Sequence, residues 1–315
     1  MSTHYFRFAL RGGPDRHASP LLERLLARAD GFTTVGDWRA EAFRVVAPHQ
    51  AHMPGLGACA LYAECGAVQG GSVLFATPVH YVAEMSNVRL PADGIVTLQG
   101  PEAETLCADF NRVWSDAGIR LMTGRHAGLF CVLERPLSVV TEDPENVLDQ
   151  HLAGHLPTGA DAAHLRRLMS EIEMWLFEHA VNRRRAARAE STLSSLWLWG
   201  QGPPLAALPP VQGWAAGDDP FFRAFAAPPD PTGAAAPAGG ASAREMPGVV
   251  AVGAQPGSDA WRKLQSGWLE GSLAALRAGR IDEIRLSAGS RCFNVGRRSR
   301  WRWWRRPRAW REYFA

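Results

Sequence analysis

The feature that most constrains the fold is the alternation of short apolar runs with longer segments of helical periodicity. Apolar runs typical of buried strands occur at 73–76, 129–133, 196–199 and 249–252. Helical spacing of apolar residues occupies 20–31, 101–118, 161–180 and 258–278. Strands that alternate with helices pack as a sheet covered by helices. The sequence therefore predicts an α/β fold with a mixed sheet flanked by helices.

Composition divides the chain at one place. Residues 226–247 are rich in Ala, Pro and Gly, so they bury too little apolar surface to offset the entropy of ordering them. We predict a flexible loop there, an α/β main body over 1–225, and a C-terminal α/β segment over 248–315 that completes the same fold. That last segment ends in a basic, Trp-rich tail.

The overall composition is that of an ordinary globular protein, with 46% hydrophobic residues, 21% charged residues and a formal charge of +3. The five cysteines are irregularly spaced and form no CxxC, which predicts reduced thiols rather than a disulfide framework or structural zinc. The first residues lack the apolar core of a signal peptide, and no run reaches 18 apolar residues. These features predict a cytoplasmic protein.

The most informative segment combines His179–Arg185 with Ser194–Gly202, which contains two tryptophans before a Gly-x-Gly. It resembles the signature of the regulatory protein RpfE family, and archaeal-type cofactor-independent phosphoglycerate mutases carry a similar Trp-Gly-x-Gly segment. The segments Ala76–His80 and Arg305–Arg308 also resemble the RpfE family. Two positions depart from its pattern, since Ala180 stands where proline is usual and Ser194 where asparagine is usual.

This resemblance implies a degenerate fold of the alkaline-phosphatase and phosphoglycerate-mutase type. It also implies a bacterial regulatory or metabolite-binding protein, a non-catalytic relative of the mutase. A phosphoglycerate mutase or phosphatase-type enzyme with unrecognised ligands is the first alternative. The second is a nucleic-acid or anionic-membrane binder that acts through the Arg- and Trp-rich residues 297–311.

The same segment predicts a site for a small anion. Asn182 offers donors and an acceptor, Arg185 and Arg188 could clasp a phosphate, and a turn at Gly200 and Gly202 could present backbone N–H groups. A small phosphorylated metabolite is the implied ligand, and a protein partner is a further possibility. The structural alternative is a helix C-terminus with solvated arginines, followed by a strand whose tryptophans pack in the core.

No catalytic residue, metal ligand set or cofactor site is identified. The superfamily implied by the resemblance holds two metals with Asp and His, but all ten histidines lie at or before His179. His151 and His155 have helical spacing, yet Gly154 and Pro157 disfavour a helix there, so we interpret them as surface histidines. The glycines of 55–60 follow no strand, which argues against a dinucleotide site. We therefore expect no two-metal mutase chemistry.

Overall fold

A computed structural model describes residues 2–8, 19–33, 37–85, 87–125, 128–226, 246–252, 264–289, 291–302 and 304–314. The chain forms two compact units. Unit 1 consists of Met1–Met53 and Pro209–Ala315, and unit 2 consists of Pro54–Leu208. These boundaries differ from the composition-based boundaries at 225 and 248. The predicted flexible loop over 226–247 lies almost wholly outside the described residues.

Unit 1 is built on a six-stranded sheet in the order β10-β11-β1-β12-β13-β2. Strands β10, β11, β1 and β12 run parallel to one another, whereas β13 is antiparallel to both of its neighbours. The strands are β1 Thr3–Phe8, β2 Asp30–Thr33, β10 Trp214–Gly217, β11 Gly248–Val252, β12 Glu283–Ala288 and β13 Arg291–Gly296.

Helices cover this sheet and bury one apolar face each. Pro20 at the first turn suits the start of α1, which buries Leu22, Leu25 and Leu26 in the core of unit 1. The side chain of Asp37 caps α2 by accepting from the backbone N–H of Arg39 at 2.9 Å. The helices in the described part of unit 1 are α1 Pro20–Arg28, α2 Trp38–Val46, α7 Pro220–Arg223 and α8 Glu270–Arg277, the last preceded by π-helical Leu264–Leu269.

Unit 2 contains a four-stranded antiparallel sheet in the order β6-β7-β3-β9 and a small sheet in the order β4-β5-β8. Strands β3 and β9 are buried along almost their whole length, as expected of a central pair with helices on its faces. The strands are β3 Ser72–Val79, β4 Val82–Ala83, β5 Val88–Leu90, β6 Ile119–Thr123, β7 Leu129–Leu133, β8 Gln150–His151 and β9 Ser195–Gly202.

Four helices pack around the sheets of unit 2. Helix α3 contacts β3 and β9, α4 contacts β6, and α5 contacts β9. A capping box of Gln99 and Glu102 starts α4. These helices are α3 Leu56–Cys65, α4 Gly100–Trp114, α5 Ala162–Phe177 and α6 Ala180–Ala187.

The predicted α/β class, a mixed sheet flanked by helices, is confirmed. Two local predictions are corrected by the structure. Gly31, predicted to stop a helix, lies in β2, where a Cβ would come within 2.6 Å of the Phe293 ring. The helix predicted over 161–180 ends at Phe177.

The structure describes the state of all five cysteines. All five cysteines are free thiols, and all but Cys65 are buried. Burial raises the pKa of Cys59, Cys107 and Cys131 to about 12, so these thiols stay protonated and pack as small apolar groups. Among the described residues, no helix is both long and apolar enough to span a bilayer.

Candidate functional site

The carboxyl ends of four parallel strands lie side by side at one edge of the unit 1 sheet. Arg7 near the end of β1 is in register with Ser287 of β12 and with Ala251 of β11, and Gly217 of β10 is in register with Ala251. Open parallel sheets place their ligands outside this edge. We call this edge the carboxyl edge, and the fold predicts a ligand site outside it.

Arg7 is held in place at the carboxyl edge. Its Nη1 donates to Ser287 Oγ at 3.0 Å and to the Gly289 carbonyl at 2.8 Å. The Arg7 Cζ lies 4.9 Å from the centre of the Trp38 ring, a distance typical of a cation–π contact. The side chain is only half-buried, so the guanidinium is fixed by three contacts and still reached by solvent.

A second guanidinium, from Arg39, lies on the Trp38 ring with its Cζ 4.6 Å from the ring centre. It forms a buried ion pair with Asp219, in which both Nε and Nη2 donate to Oδ2 at 2.9 Å. Asp219 also accepts from the backbone N–H groups of Phe221 and Phe222 at the start of α7. Arg39 is therefore neutralised and fixes the position of Trp38.

Tyr5 lies two residues before Arg7, so both side chains project from the same face of β1. Its hydroxyl is buried and makes no hydrogen bond to any described residue. Burial raises the pKa of the Tyr5 phenol, and the neighbouring Ser287 hydroxyl acts in the opposite direction. Tyr5 therefore remains neutral beside Ser287, and both hydroxyls lie inside the protein because each residue is fully buried.

The sequence-predicted anion site has a different arrangement. Asn182 is buried, and its amide Nδ2 donates to the carbonyls of Leu176 and Leu193 at 2.7 and 2.8 Å. Its Oδ1 accepts from the backbone N–H of Leu193 at 2.7 Å. Every bond of this side chain joins α6 to the backbone on either side of it, which is a structural role.

Arg185 and Arg188 are brought together, as predicted, but the anion between them is Glu102. Arg185 Nη1 donates to Glu102 Oε2 at 2.7 Å, and Arg188 Nη2 donates to Oε1 at 2.6 Å. Glu190 also accepts from Arg188. Hydrogen bonds to Glu190 and then to Glu102 raise the pKa of Arg188. Binding of an external phosphate at this cluster stays a prediction.

The two glycines lie far from these arginines. Arg185 Nε bonds the Ser191 carbonyl before β9, whereas Gly200 and Gly202 are at the other end of that strand. At about 3.3 Å per residue, the five steps from Ser195 to Gly200 alone span roughly 17 Å. The turn predicted at 200–202 is instead strand. Gly200, at φ 68°, occupies a bulge where the register with β3 shifts.

Other residues of the segments that resemble the RpfE family also form hydrogen bonds to nearby backbone and side-chain groups. His179 caps α6, since its Nδ1 accepts from the Val181 N–H and its Nε2 lies 3.2 Å from Asp109 Oδ2. Burial lowers the pKa of His179. Ala180 is the first helical residue, a position that suits proline as well. Ser194 Oγ accepts from the Tyr81 N–H at 2.8 Å.

The two tryptophans of the segment Ser194–Gly202 are buried, and each indole N–H donates a hydrogen bond within unit 2. Trp197 Nε1 donates to the Glu142 carbonyl and Trp199 Nε1 to Thr77 Oγ1.

The described residues do not fit a metal centre. Within the described ranges, no three His, Cys, Asp or Glu side chains lie together in a group that could hold an ion. His151 and His155 are not on one helix, and each faces its own carboxylate: Glu84 Oε2 at 3.7 Å and Glu142 Oε2 at 2.7 Å. The donor set of the described residues therefore does not match the two-metal site that the resemblance implies.

Sequence reasoning did not find Arg7, Trp38 or Ser287. The signal was present in the alternation of Tyr5 and Arg7 with Phe6 and Phe8, which is typical of a strand. An arginine near the end of the first strand, followed by Gly12 and Gly13, is a sequence signal for a ligand site at the carboxyl edge. What the sequence could not show is that β12 lies next to β1.

Comparison with known proteins supports the mutase resemblance in part. The chain is 39% identical over 66 residues to 2,3-bisphosphoglycerate-independent phosphoglycerate mutase 2 of Methanothermobacter thermautotrophicus. This match covers 21% of this chain and 16% of that protein. It is 35% identical over 86 residues to the 2,3-bisphosphoglycerate-independent phosphoglycerate mutase of Methanothrix thermoacetophila, covering 27% and 22%. The matches therefore span less than a quarter of these relatives. No protein-family model matches the chain.

Among solved structures, the chain is similar to the cofactor-independent phosphoglycerate mutase from Thermoplasma acidophilum. The alignment covers 94% of this chain and 89% of that one, with 13% sequence identity and a TM-score of 0.36. The chain is thus phosphoglycerate-mutase-like by local sequence similarity.

Proposed function

We propose that this chain is a phosphoglycerate-mutase-like protein that binds a small phosphorylated acid without turning it over. In this proposal it acts as a regulatory protein in the bacterial cytoplasm, like the RpfE family that its motifs resemble. The observation that carries the proposal is the Arg7 guanidinium, fixed at the carboxyl edge by Ser287 and Gly289. A fixed guanidinium suits phosphate and carboxylate groups because its donors are already oriented.

The residues at the carboxyl edge favour recognition over catalysis. Arg7 supplies a positive charge, Ser287 positions it, and Trp38 provides an apolar wall beside it. None of these side chains is a base or nucleophile with an activating partner among the described residues. The arrangement can stabilise a bound anion, and among the described residues it offers no group for moving a phosphoryl group between oxygens.

The experiment measures thermal stabilisation of the full chain by 3-phosphoglycerate, inorganic phosphate and citrate, in parallel with mutase and phosphatase assays with and without Mn²⁺. We expect stabilisation by 3-phosphoglycerate and no turnover under either condition. Metal-dependent turnover above that of a chelator-treated control would instead support the enzyme alternative. No stabilisation by any of the compounds would overturn the proposal.

Two variants distinguish the carboxyl edge from the site predicted at Arg185 and Arg188. Arg7→Gln removes the cation at the edge. Arg188→Gln weakens the other cluster but leaves the buried bond between Arg185 and Glu102 in place. We expect Arg7→Gln to abolish the stabilisation and Arg188→Gln to retain it. The reverse result would place the ligand at the predicted site instead.

A further inference from the structure

The tail after β13 is attached to unit 1 by a subset of its aromatic and basic residues. Trp310 and Phe314 are buried in the unit 1 core, and Trp310 lies 6.5 Å, ring centre to ring centre, from Phe8. Arg302 Nη1 donates to Asp30 Oδ1 at 2.6 Å and to the Arg28 carbonyl at 3.2 Å. Arg305 Nη1 donates to the Ala29 carbonyl at 2.9 Å, at the end of α1. These contacts are those of a docked segment.

A second subset faces outward. Arg298, Arg306 and Arg308 are exposed, and their side chains make no hydrogen bond or ion pair with the described part of the chain. Trp304, between the two docked arginines, is 63% exposed. Phe32, two residues beyond the docked Asp30 on edge strand β2, is 42% exposed. We call Phe32, Arg298, Trp304, Arg306 and Arg308 the outer basic surface.

We propose that the outer basic surface binds single-stranded nucleic acid. Arginines without carboxylate partners can contact successive phosphates, and exposed aromatic rings can stack on bases of any sequence. The docked subset supports this use. Because Arg302 already engages Asp30, that carboxylate is neutralised and does not oppose the approach of a polyanion. The exposed Glu312 is the carboxylate that remains in this segment.

The alternative partner, an anionic bilayer, fits the geometry less well. Binding in a bilayer interface uses an amphipathic helix that buries an apolar face about 5–10 Å deep. Residues 304–309 are instead irregular chain, and three of the six are arginine. The two aromatic rings are each only partly exposed, which suits contact with one flat base on the surface of the protein.

The proposal is tested by fluorescence anisotropy with the full chain and a labelled oligothymidylate of about 12 nucleotides, within the range of one single-strand site. We expect Trp304→Ala to weaken binding about tenfold and Trp304→Phe to retain it, since stacking on one ring contributes that much. The triple change Arg298→Gln, Arg306→Gln and Arg308→Gln should lower the slope of log affinity against log salt by about 2.

A matched control removes three exposed arginines elsewhere, with Arg166→Gln, Arg167→Gln and Arg277→Gln. These changes alter the net charge equally and should leave most of the affinity intact. Equal loss in the control, no binding by the wild type, or unchanged binding by Trp304→Ala would each overturn the proposal. Tighter binding to phosphatidylglycerol vesicles than to the oligonucleotide would also overturn it, in favour of a membrane.

Discussion

Arg185 donates to the carboxylate of Glu102 at 2.7 Å, with both side chains about nine-tenths buried. The pair joins the last turn of α6 to the first turn of α4. The resemblance pointed to Arg185 as a ligand-binding residue, whereas the structure shows its charge balanced inside the protein. Stability is therefore the first property to measure on its variants, before any loss of binding is interpreted.

We expect Arg185→Met to lower the free energy of unfolding by about 3–5 kcal/mol, because it leaves the Glu102 charge buried with a weaker partner set. Urea unfolding followed by circular dichroism measures this difference. The double variant Arg185→Met, Glu102→Gln should recover part of the loss because it also removes the buried carboxylate, which Arg188 alone would otherwise balance. If the single variant is as stable as the wild type, the pair does not join the two helices.

Gly200 should be intolerant of a side chain. Its φ of 68° is unfavourable for other residues, and a Cβ there would lie 3.0 Å from Leu56 Cβ and 3.1 Å from the Phe75 ring. We expect Gly200→Ala to reduce the free energy of unfolding by about 1–2 kcal/mol from the backbone alone. The control Gly271→Ala, in α8 with open space around it, should raise stability by about 0.5–1 kcal/mol. Equal effects of the two substitutions would contradict the bulge assignment.

Glu173 on α5 should make stability depend on pH. Burial raises its pKa, against the opposing effect of the Ser195 hydroxyl. Because the folded pKa lies above the unfolded value of 4.5, ionisation costs stability as the pH rises through the folded pKa. Glu173→Gln should therefore be more stable than the wild type at pH 7, and the difference should vanish below pH 4.5.

The matched control for Glu173 is Glu171→Gln, which removes an exposed carboxylate from the same helix. It should show a smaller difference at pH 7. Denaturant unfolding at a series of pH values gives the comparison. A stabilisation by Glu173→Gln that stays constant between pH 4 and pH 8 would show that burial of the charge is not its cause.

The sequence predicts local structure where the physical cause is local. The buried strand around Trp197 and Trp199 follows from its apolar run, and the hairpin of β12 and β13 follows from two strand patterns around Gly289. The partner of Arg185 could not be predicted, because Glu102 is 83 residues away. The same holds for Arg7 and Ser287, which are 280 residues apart and meet only when β12 pairs with β1.

The residues of the predicted anion site lie apart in the structure for a related reason. The sequence places Asn182, Arg185 and Gly200 within 20 residues of one another. In the structure, most of strand β9 lies between α6 and Gly200. A Gly-x-Gly after an apolar run predicts a turn, whereas the pairing of β9 with β3 extends the strand through Gly202. Proximity in sequence is therefore a poor guide to which polar groups meet at a strand end.

The most direct test of the central claim, anion recognition at the carboxyl edge, is isothermal titration calorimetry of 3-phosphoglycerate into the full chain in the presence of a chelator. We expect binding by the wild type and by the control Arg166→Gln. Arg7→Gln should weaken it about ten- to a hundredfold, because a hydrogen bond to a charged group contributes about 1.5–3 kcal/mol. Equal affinity of Arg7→Gln and the wild type, or no binding without added metal, would contradict the account.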